Sequence, residues 1–257
     1  MRLLIFCEGT GDFRTMAGLV DRVLSDEGPL WVREYLEFRP LDELRQWMGD
    51  GSQRAFFDVH HIYHYAEDRG IRLPHGRFNG RPAGAHYIAA RTAFLIARHD
   101  AKQSEPIDAV IFVVDADEQG AARRESLEQA RALALREERF GVVIGCADLE
   151  REAWVLACFE PANAPERARL DSERSDLGFC PCNEAHRLRD HSDGGKRSPK
   201  RVLAALTSGE LDRESRCWTD APLDRMRARG QGSGLKAFLD EVTQTLVPLF
   251  EAPPPAT

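Results

Sequence analysis

Three carboxylates stand where short apolar runs stop. Glu8 follows Arg2-Leu-Leu-Ile-Phe-Cys7, and Asp115 and Asp117 follow Ile107-Asp-Ala-Val-Ile-Phe-Val-Val114. Carboxylate oxygens are hard donors, and Mg2+ takes one or two of them while leaving the rest of its shell to water and phosphate. Side chains at i and i+2 of an extended strand share a face, so Asp115 and Asp117 can turn toward one Mg2+ or Mn2+ ion. An ion held there would neutralise the oxygens that gain charge as a phosphodiester breaks, and would lower the pKa of an attacking water.

The elements that position these acids follow from the pattern of apolar residues. Runs of this length, rich in Ile, Val, Leu and Phe, belong to strands buried on both faces of a parallel sheet, and open α/β sheets bind ligands just beyond their strands' carboxyl ends. Met16, Leu19, Val20, Val23 and Leu24 recur at helical spacing after the first run and stop near Gly28-Pro29. Residues 107–114, 121–138 and 142–146 read as strand, helix and strand, a right-handed unit with its strands parallel. Between 29 and 84 the pattern is mixed: 31–38 and 56–62 each read as a strand and 41–48 as a short helix, and one of them supplies the second sheet strand. A helix over 85–98 turns Ile88, Thr92, Leu95 and Ile96 inward.

The stretch 161–199 is polar and reads as a loop-rich excursion. Leu235, Phe238, Leu239, Val242, Leu246 and Leu249 mark a closing amphipathic helix, before a Pro-rich tail over 252–257 that is expected to be disordered. The expected architecture is α/β, with a Rossmann-like, mostly parallel sheet. Its core spans 1–160 with an insertion over 29–84, and a helical, loop-rich extension over 161–251 packs on it.

Glu8-Gly-Thr-Gly-Asp12 after a first strand and Asp115-Ala-Asp117 after a later one resemble the Toprim superfamily, whose pattern is a Glu-Gly motif followed by Asp-x-Asp. Leu149-Glu-Arg-Glu152-Ala-Trp154 and Ser198-Pro-Lys200-Arg-Val-Leu203 resemble segments of a bacterial Toprim-like family of unknown function, related to the OLD nucleases and found in defence gene clusters. Order and spacing of these short motifs carry the resemblance from Arg2 to Phe250. It implies metal-dependent phosphodiester chemistry. Glu8 would be a further metal ligand or the proton-transfer group, and the sequence does not separate the two. Asp12 stands where related nucleases carry a second acidic residue, so a two-metal site would add Asp12 and Glu152. Glu152 also stands at an expected helix start, where capping is the rival explanation.

The chain has 257 residues, enough for one α/β domain with insertions and a sizeable core. Its formal charge is −7 with 30% charged residues, so no overall basic field holds a polyanion, and any nucleic-acid contact must be a local patch. Arg77 and Arg81 flank a basic turn, Arg77-Phe-Asn-Gly-Arg81, expected near the loop end of the sheet. Lys196, Arg197, Lys200 and Arg201 gather beside Gly194-Gly195 without the frame of a Walker loop. Lys200 suits an electrophilic partner for a phosphoryl oxygen, a role the resemblance supports. Against each of these stands plain solvated charge.

His60, His61 and His64 crowd together with no carboxylate partner at recognisable spacing, and read as a strand edge or exposed loop. Cys7, Cys146 and Cys158 fall in or beside apolar runs and read as core residues. Cys180-Pro-Cys182 with His186 and His191 offers zinc ligands, but the Cys-x-Cys gap is tighter than structural sites use and no second cysteine pair follows. No apolar stretch approaches the roughly 20 residues that cross a bilayer, which points to a cytoplasmic protein.

These residues and the resemblance together lead to a Mg2+- or Mn2+-dependent nuclease of DNA or RNA, with room for homo-oligomers. The resemblance implies a role in antiphage defence beside a separate ATPase of the AAA or ABC type, since this chain has no nucleotide-hydrolysis motif of its own. The alternatives are a catalytically silent adaptor that binds the ATPase, and a phosphatase or nucleotide-processing enzyme. A receiver-like domain would need a lysine and a hydroxyl at later strand ends, where this chain has Cys146-Ala147.

Overall fold

The structure, a computed structural model, describes residues 1–50, 54–75, 84–103, 106–116 and 120–250, with the backbone alone at Arg77, Phe78, Arg81 and Pro82. Asp117, the side chains of Arg77 and Arg81, and the tail from 251 lie outside the described residues.

Alternation along the apolar runs decides which helices cover which face. In β1 (Arg2–Cys7), Leu3, Ile5 and Cys7 enter one hydrophobic core while Leu4 and Phe6 enter another. In β6 (Ala109–Asp115), Ile111 and Val113 join the first core, and Val110, Phe112 and Val114 the second. In β7 (Gly141–Ala147), Val143 and Ala147 face the first, and Val142, Ile144 and Cys146 the second. Strands buried on both sides need a helical layer on each. Side chains of α1 (Thr10–Glu27), α6 (Arg151–Cys158), α8 (Pro199–Thr207), α9 (Leu211–Asp220), α10 (Leu223–Arg229) and α11 (Leu235–Leu246) build the first core. Those of α3 (Ile62–Asp68), α4 (Ala85–Gln103) and α5 (Gly120–Glu137) build the second.

All strands of the main sheet are parallel, in the order β2–β1–β6–β7. β2 (Gln46–Met48) and β3 (Phe57–Asp58) share the outer edge of β1, the former beside Arg2 to Leu4 and the latter beside Phe6 and Cys7. The chain leaves β1 through α1 on the first face, and reaches β6 and β7 through α4 and α5 on the second. Strand order therefore reverses between β1 and β6. This is the α/β, Rossmann-like sheet that the apolar runs imply. The second half of the chain shares its core: Leu203, Trp218 and Phe238 lie in one cluster with Ile5 and Leu19.

α6 has 8 residues, short of the roughly 12–15 an isolated helix needs. Burial holds it. Trp154, Val155 and Leu156 are fully buried, and each such apolar side chain contributes roughly 1.5–3 kcal/mol. Trp154 also stacks on Phe238 at 5.0 Å and donates its indole N–H to the Ser233 carbonyl at 2.6 Å.

Several local expectations are corrected. Residues 31–38 form no strand: α2 (Leu30–Leu36) is a helix. The aromatic content that suggests a strand serves tertiary packing, since Trp31 packs on Phe250 and donates to its carbonyl at 2.8 Å. Residues 41–48 form a short 3-10 turn, Leu41–Glu43, and then β2 instead of a helix. The strand expected over 56–62 stops after Asp58, whose carboxylate accepts from the His60 amide at 2.9 Å and opens a turn into α3. The excursion over 161–199 contains a helix, α7 (Ala164–Leu177), begun by Asn163 accepting from the Glu166 amide at 2.9 Å and ended by Gly178 at φ 77°. No apolar stripe announces α7, because its buried residues include Glu166 and Glu173, neutralised by Arg213 and Arg201. Leu249 lies beyond the end of α11 and is exposed.

Candidate active site

Glu8 and Asp115 meet at the carboxyl ends of the two strands that flank the reversal of strand order, where open α/β sheets place their ligands. Glu8 Oε1 accepts from the Asp115 amide at 3.3 Å. Asp115 Oδ1 accepts from the Arg151 amide at 2.8 Å, so its carboxylate sits on the amino terminus of α6. The Arg123 guanidinium donates to the Asp115 carbonyl.

Asp12 and Glu152 join them because each lies in the first turn of a helix that starts beside this edge, α1 and α6. Arg151 threads the group. Its guanidinium pairs with Glu152 at 2.8 Å, with Glu214 of α9 at 2.5 Å and with Asp12 at 3.5 Å, and donates to Thr15 Oγ1 at 2.9 Å. Burial pushes the Asp115 carboxyl up to about 8, helped by the negative charges of Glu8, Asp12 and Glu152. Burial likewise raises Asp12 to about 6, with Glu8 and Glu152 adding to it and Arg151 opposing it. Burial alone would lower the Arg151 pKa, but Glu152 and Glu214 outweigh it and hold the guanidinium charged.

Among the described residues, no group of three or more His, Cys, Asp or Glu side chains is arranged to hold a metal ion. Asp117, the second acid of Asp115-Ala-Asp117, lies outside those residues. The donor chemistry nevertheless suits a hard cation. Carboxylates that raise one another's pKa are short of positive charge, and a divalent ion among oxygen donors would relieve that repulsion.

The basic residues divide. Lys200 reaches Glu150 at 3.4 Å and Asp193 at 3.5 Å. Burial would lower its pKa, but Glu150 and Glu152 outweigh that and raise it, which places the ammonium at the border of the acidic group. Arg201 is committed elsewhere, donating to both oxygens of Glu173 at 2.7 and 2.6 Å. Arg197 lies 5.8 Å over the Phe179 ring, and Lys196 is exposed with its carbonyl accepting from Arg201. Arg77 and Arg81 belong to a two-residue antiparallel pairing of β4 (Arg77–Phe78) with β5 (Arg81–Pro82). The histidines do have carboxylate neighbours: His60 Nδ1 lies 3.1 Å from Asp58, and His64 Nε2 3.7 Å from Asp68. Cys180, half-buried, and Cys182, buried, are both free thiols.

A cavity of about 340 Å³ opens beside Glu8, lined by His60, Tyr63, His86, Phe112 and Arg123. Arg123, Arg151 and Glu214 escape a reading of the sequence. Arg151 lies inside the Leu149-Glu-Arg-Glu152 segment, but its partners are distant in the chain, and only helix packing brings them together. Leu149 is buried at φ 67°, a left-handed conformation that non-glycine residues rarely adopt and that marks constrained turns at functional sites. Beside it, Glu150 Oε2 is buried without a hydrogen-bond partner, and burial raises the pKa of its carboxyl. Compared with models of protein families, with curated proteins and with solved structures, the chain matches none.

Proposed function

We propose that this chain is a Mg2+- or Mn2+-dependent nuclease of DNA or RNA, a cytoplasmic effector of antiphage defence working beside a separate ATPase. The observation that carries the reading is the convergence of Glu8, Asp12, Asp115 and Glu152 at the switch point of the sheet, with Asp115 raised to about 8 by its burial and its neighbours. The defence setting and the ATPase rest on the resemblance to the Toprim-like family. Glu8, Asp115 and Asp117 would hold the ion, with Asp12 and Glu152 at a second position. When bound, the ion supplies charge neutralisation at the phosphoryl oxygens and a more acidic water. Glu8, on the cavity wall, takes or delivers a proton, and Lys200 at the border steadies an anionic oxygen.

One observation favours a catalytically silent adaptor instead: Arg151 already bridges Asp12, Glu152 and Glu214. A guanidinium in that place does structurally what a metal would do chemically. The deciding experiment incubates the full-length protein with single- and double-stranded DNA and RNA, with EDTA, Mg2+ or Mn2+. The nuclease cleaves only with metal, and Glu8→Gln lowers the rate by at least about 10²-fold. No cleavage with either metal, together with equal Mg2+ thermal upshifts for parent and Asp115→Asn, sinks the nuclease reading.

A further inference from the structure

A second chemical centre lies away from the carboxylates, in the turn after α7. Cys180-Pro-Cys182-Asn183 is a β-turn, closed by the Asn183 amide on the Cys180 carbonyl at 3.1 Å, with proline in the position that such turns favour. The Glu184 amide bonds the same carbonyl at 3.0 Å, which fixes the turn further. This bend holds the two cysteines on a single turn, one residue apart.

The two sulfurs are not equivalent. Cys182 is 1% exposed and belongs to the first hydrophobic core, beside Phe179 and Leu188. Cys180 is half-buried and lines a cavity of about 670 Å³ with Asp171, Arg174, Ser175, Asn183 and Glu184. Cys7, Cys146, Cys158 and Cys217 are all buried, so among the described residues Cys180 is the accessible thiol. The neighbouring Cys182 thiol, the backbone amides of the turn and the positive charge of Arg229 favour the thiolate, lowering Cys180 to about 5 against the pull of burial. Cys180 beside it, together with burial, raises Cys182. A thiolate on an open cavity wall with a buried, protonated thiol on the same turn is the arrangement of an attacking and a resolving cysteine.

We propose that Cys180 and Cys182 form a peroxide-reactive dithiol that closes to a reversible disulfide. In the first step the Cys180 thiolate attacks the distal oxygen of a hydroperoxide. A sulfur–oxygen bond forms, the oxygen–oxygen bond breaks, and the departing alkoxide or hydroxide takes a proton to leave as alcohol or water. Cys180 is oxidised to the sulfenic acid and the hydroperoxide is reduced. In the second step the Cys182 sulfur attacks Cys180 Sγ, its thiol proton passes to the departing hydroxyl, and water leaves as the disulfide forms. A dithiol reductant, itself converted to a disulfide, restores both thiols.

The test uses the full-length protein and hydrogen peroxide. After brief exposure, free thiols are alkylated and the tryptic peptide spanning 175–187, which carries these two cysteines and no others, is weighed. The expected product lacks both alkyl groups, is lighter than the dithiol peptide by two hydrogens, and reverts with dithiothreitol. Cys182→Ser should instead accumulate the Cys180 sulfenic acid, trapped by dimedone. Iodoacetamide at pH 6 should modify Cys180 at least about tenfold faster than any buried cysteine of the untreated parent, a measurement that needs no variant to fold. Complete alkylation of both thiols after peroxide, or over-oxidised Cys180 beside an alkylated Cys182, overturns the proposal.

Discussion

The side chain of Glu8, which follows one central strand, accepts a hydrogen bond from the backbone amide of Asp115, which ends the neighbouring strand, at 3.3 Å. The register of β1 against β6, Leu3 beside Ala109 through Phe6 beside Phe112, carries the two residues to the same edge. Asp115 then spends one carboxylate oxygen on the amide of Arg151. The acids are therefore held by the backbone of each other's elements, and their charges are forced together.

That proximity sets a dependence on pH. Asp115 ionises at about 8 in the folded chain against an ordinary 3.8. The folded state thus binds more protons than the unfolded one across this window. The stabilising contribution is full below the unfolded value and is lost as pH rises toward 8. In EDTA the Tm should fall from pH 5 to pH 8. Asp115→Asn keeps an oxygen for the Arg151 amide and loses the charge, so it should flatten that slope and raise Tm at pH 8 by roughly 2–4 °C for each kcal/mol relieved. An unchanged slope in the variant places the linkage elsewhere.

Arg151 should be the most sensitive position in the group. Its side chain is 11% exposed and pairs with acids from α1, α6 and α9. Arg151→Met leaves those carboxylates facing one another without a cation, and breaking a buried pair in this way costs about 3–5 kcal/mol. Urea unfolding at pH 8 measures the loss. If the acids accept a divalent ion, added Mg2+ should restore more stability to the variant than it gives the parent; equal gains would count against a metal at this place.

Acid stability should report on a different pair. Both nitrogens of the Arg213 fork donate to Glu166, at 2.8 and 2.9 Å, and hold its carboxyl down at about 2. Here the folded value lies below the unfolded one. The contribution is present above the ordinary 4.5 and is lost as pH falls toward 2. Glu166→Gln should remove this segment of the acid-unfolding profile, and at neutral pH should cost about 3–5 kcal/mol by leaving Arg213 buried without its counter-charge. A parallel profile displaced by a constant amount would contradict the assignment.

Two glycines separate backbone strain from collision. Gly234 and Gly178 both have left-handed backbone, at φ 87° and 77°. A side chain at Gly178 meets nothing within 4 Å, whereas a Cβ at Gly234 would lie 2.4 Å from the Cys146 carbonyl oxygen. Gly178→Ala should cost about 1 kcal/mol, and Gly234→Ala distinctly more, because β7 and the start of α11 must part. Comparable denaturation midpoints for the two variants would mean that this junction yields easily.

The central strands were legible because burial on both faces leaves a local mark, a short run without polar interruption. The bounds of β1, β6 and β7 lie within two residues of those runs, and helical spacing placed α1, α5 and α11. Glu8 and Asp115 were legible for the same reason, since an acid that ends such a run must emerge at the sheet's edge. α7 was hidden because its buried side chains are partly glutamates, whose counter-charges come from residues that a linear pattern cannot pair with them.

The composition of the acidic group was a tertiary decision. Asp12, Asp115, Arg151 and Glu214 are far apart in the chain, and they meet because α1 and α6 both begin at one edge of the sheet while α9 packs against both. The Cys180 and Cys182 thiols are close in sequence by any reading, but their inequality is not. It exists because the turn after α7 drives one sulfur into the core and leaves the other on a cavity wall. Periodicity records which faces of an element avoid water. Which charges share a desolvated space depends on how those faces are stacked, and the electrostatic energy that tunes an acid or a thiol is fixed only there.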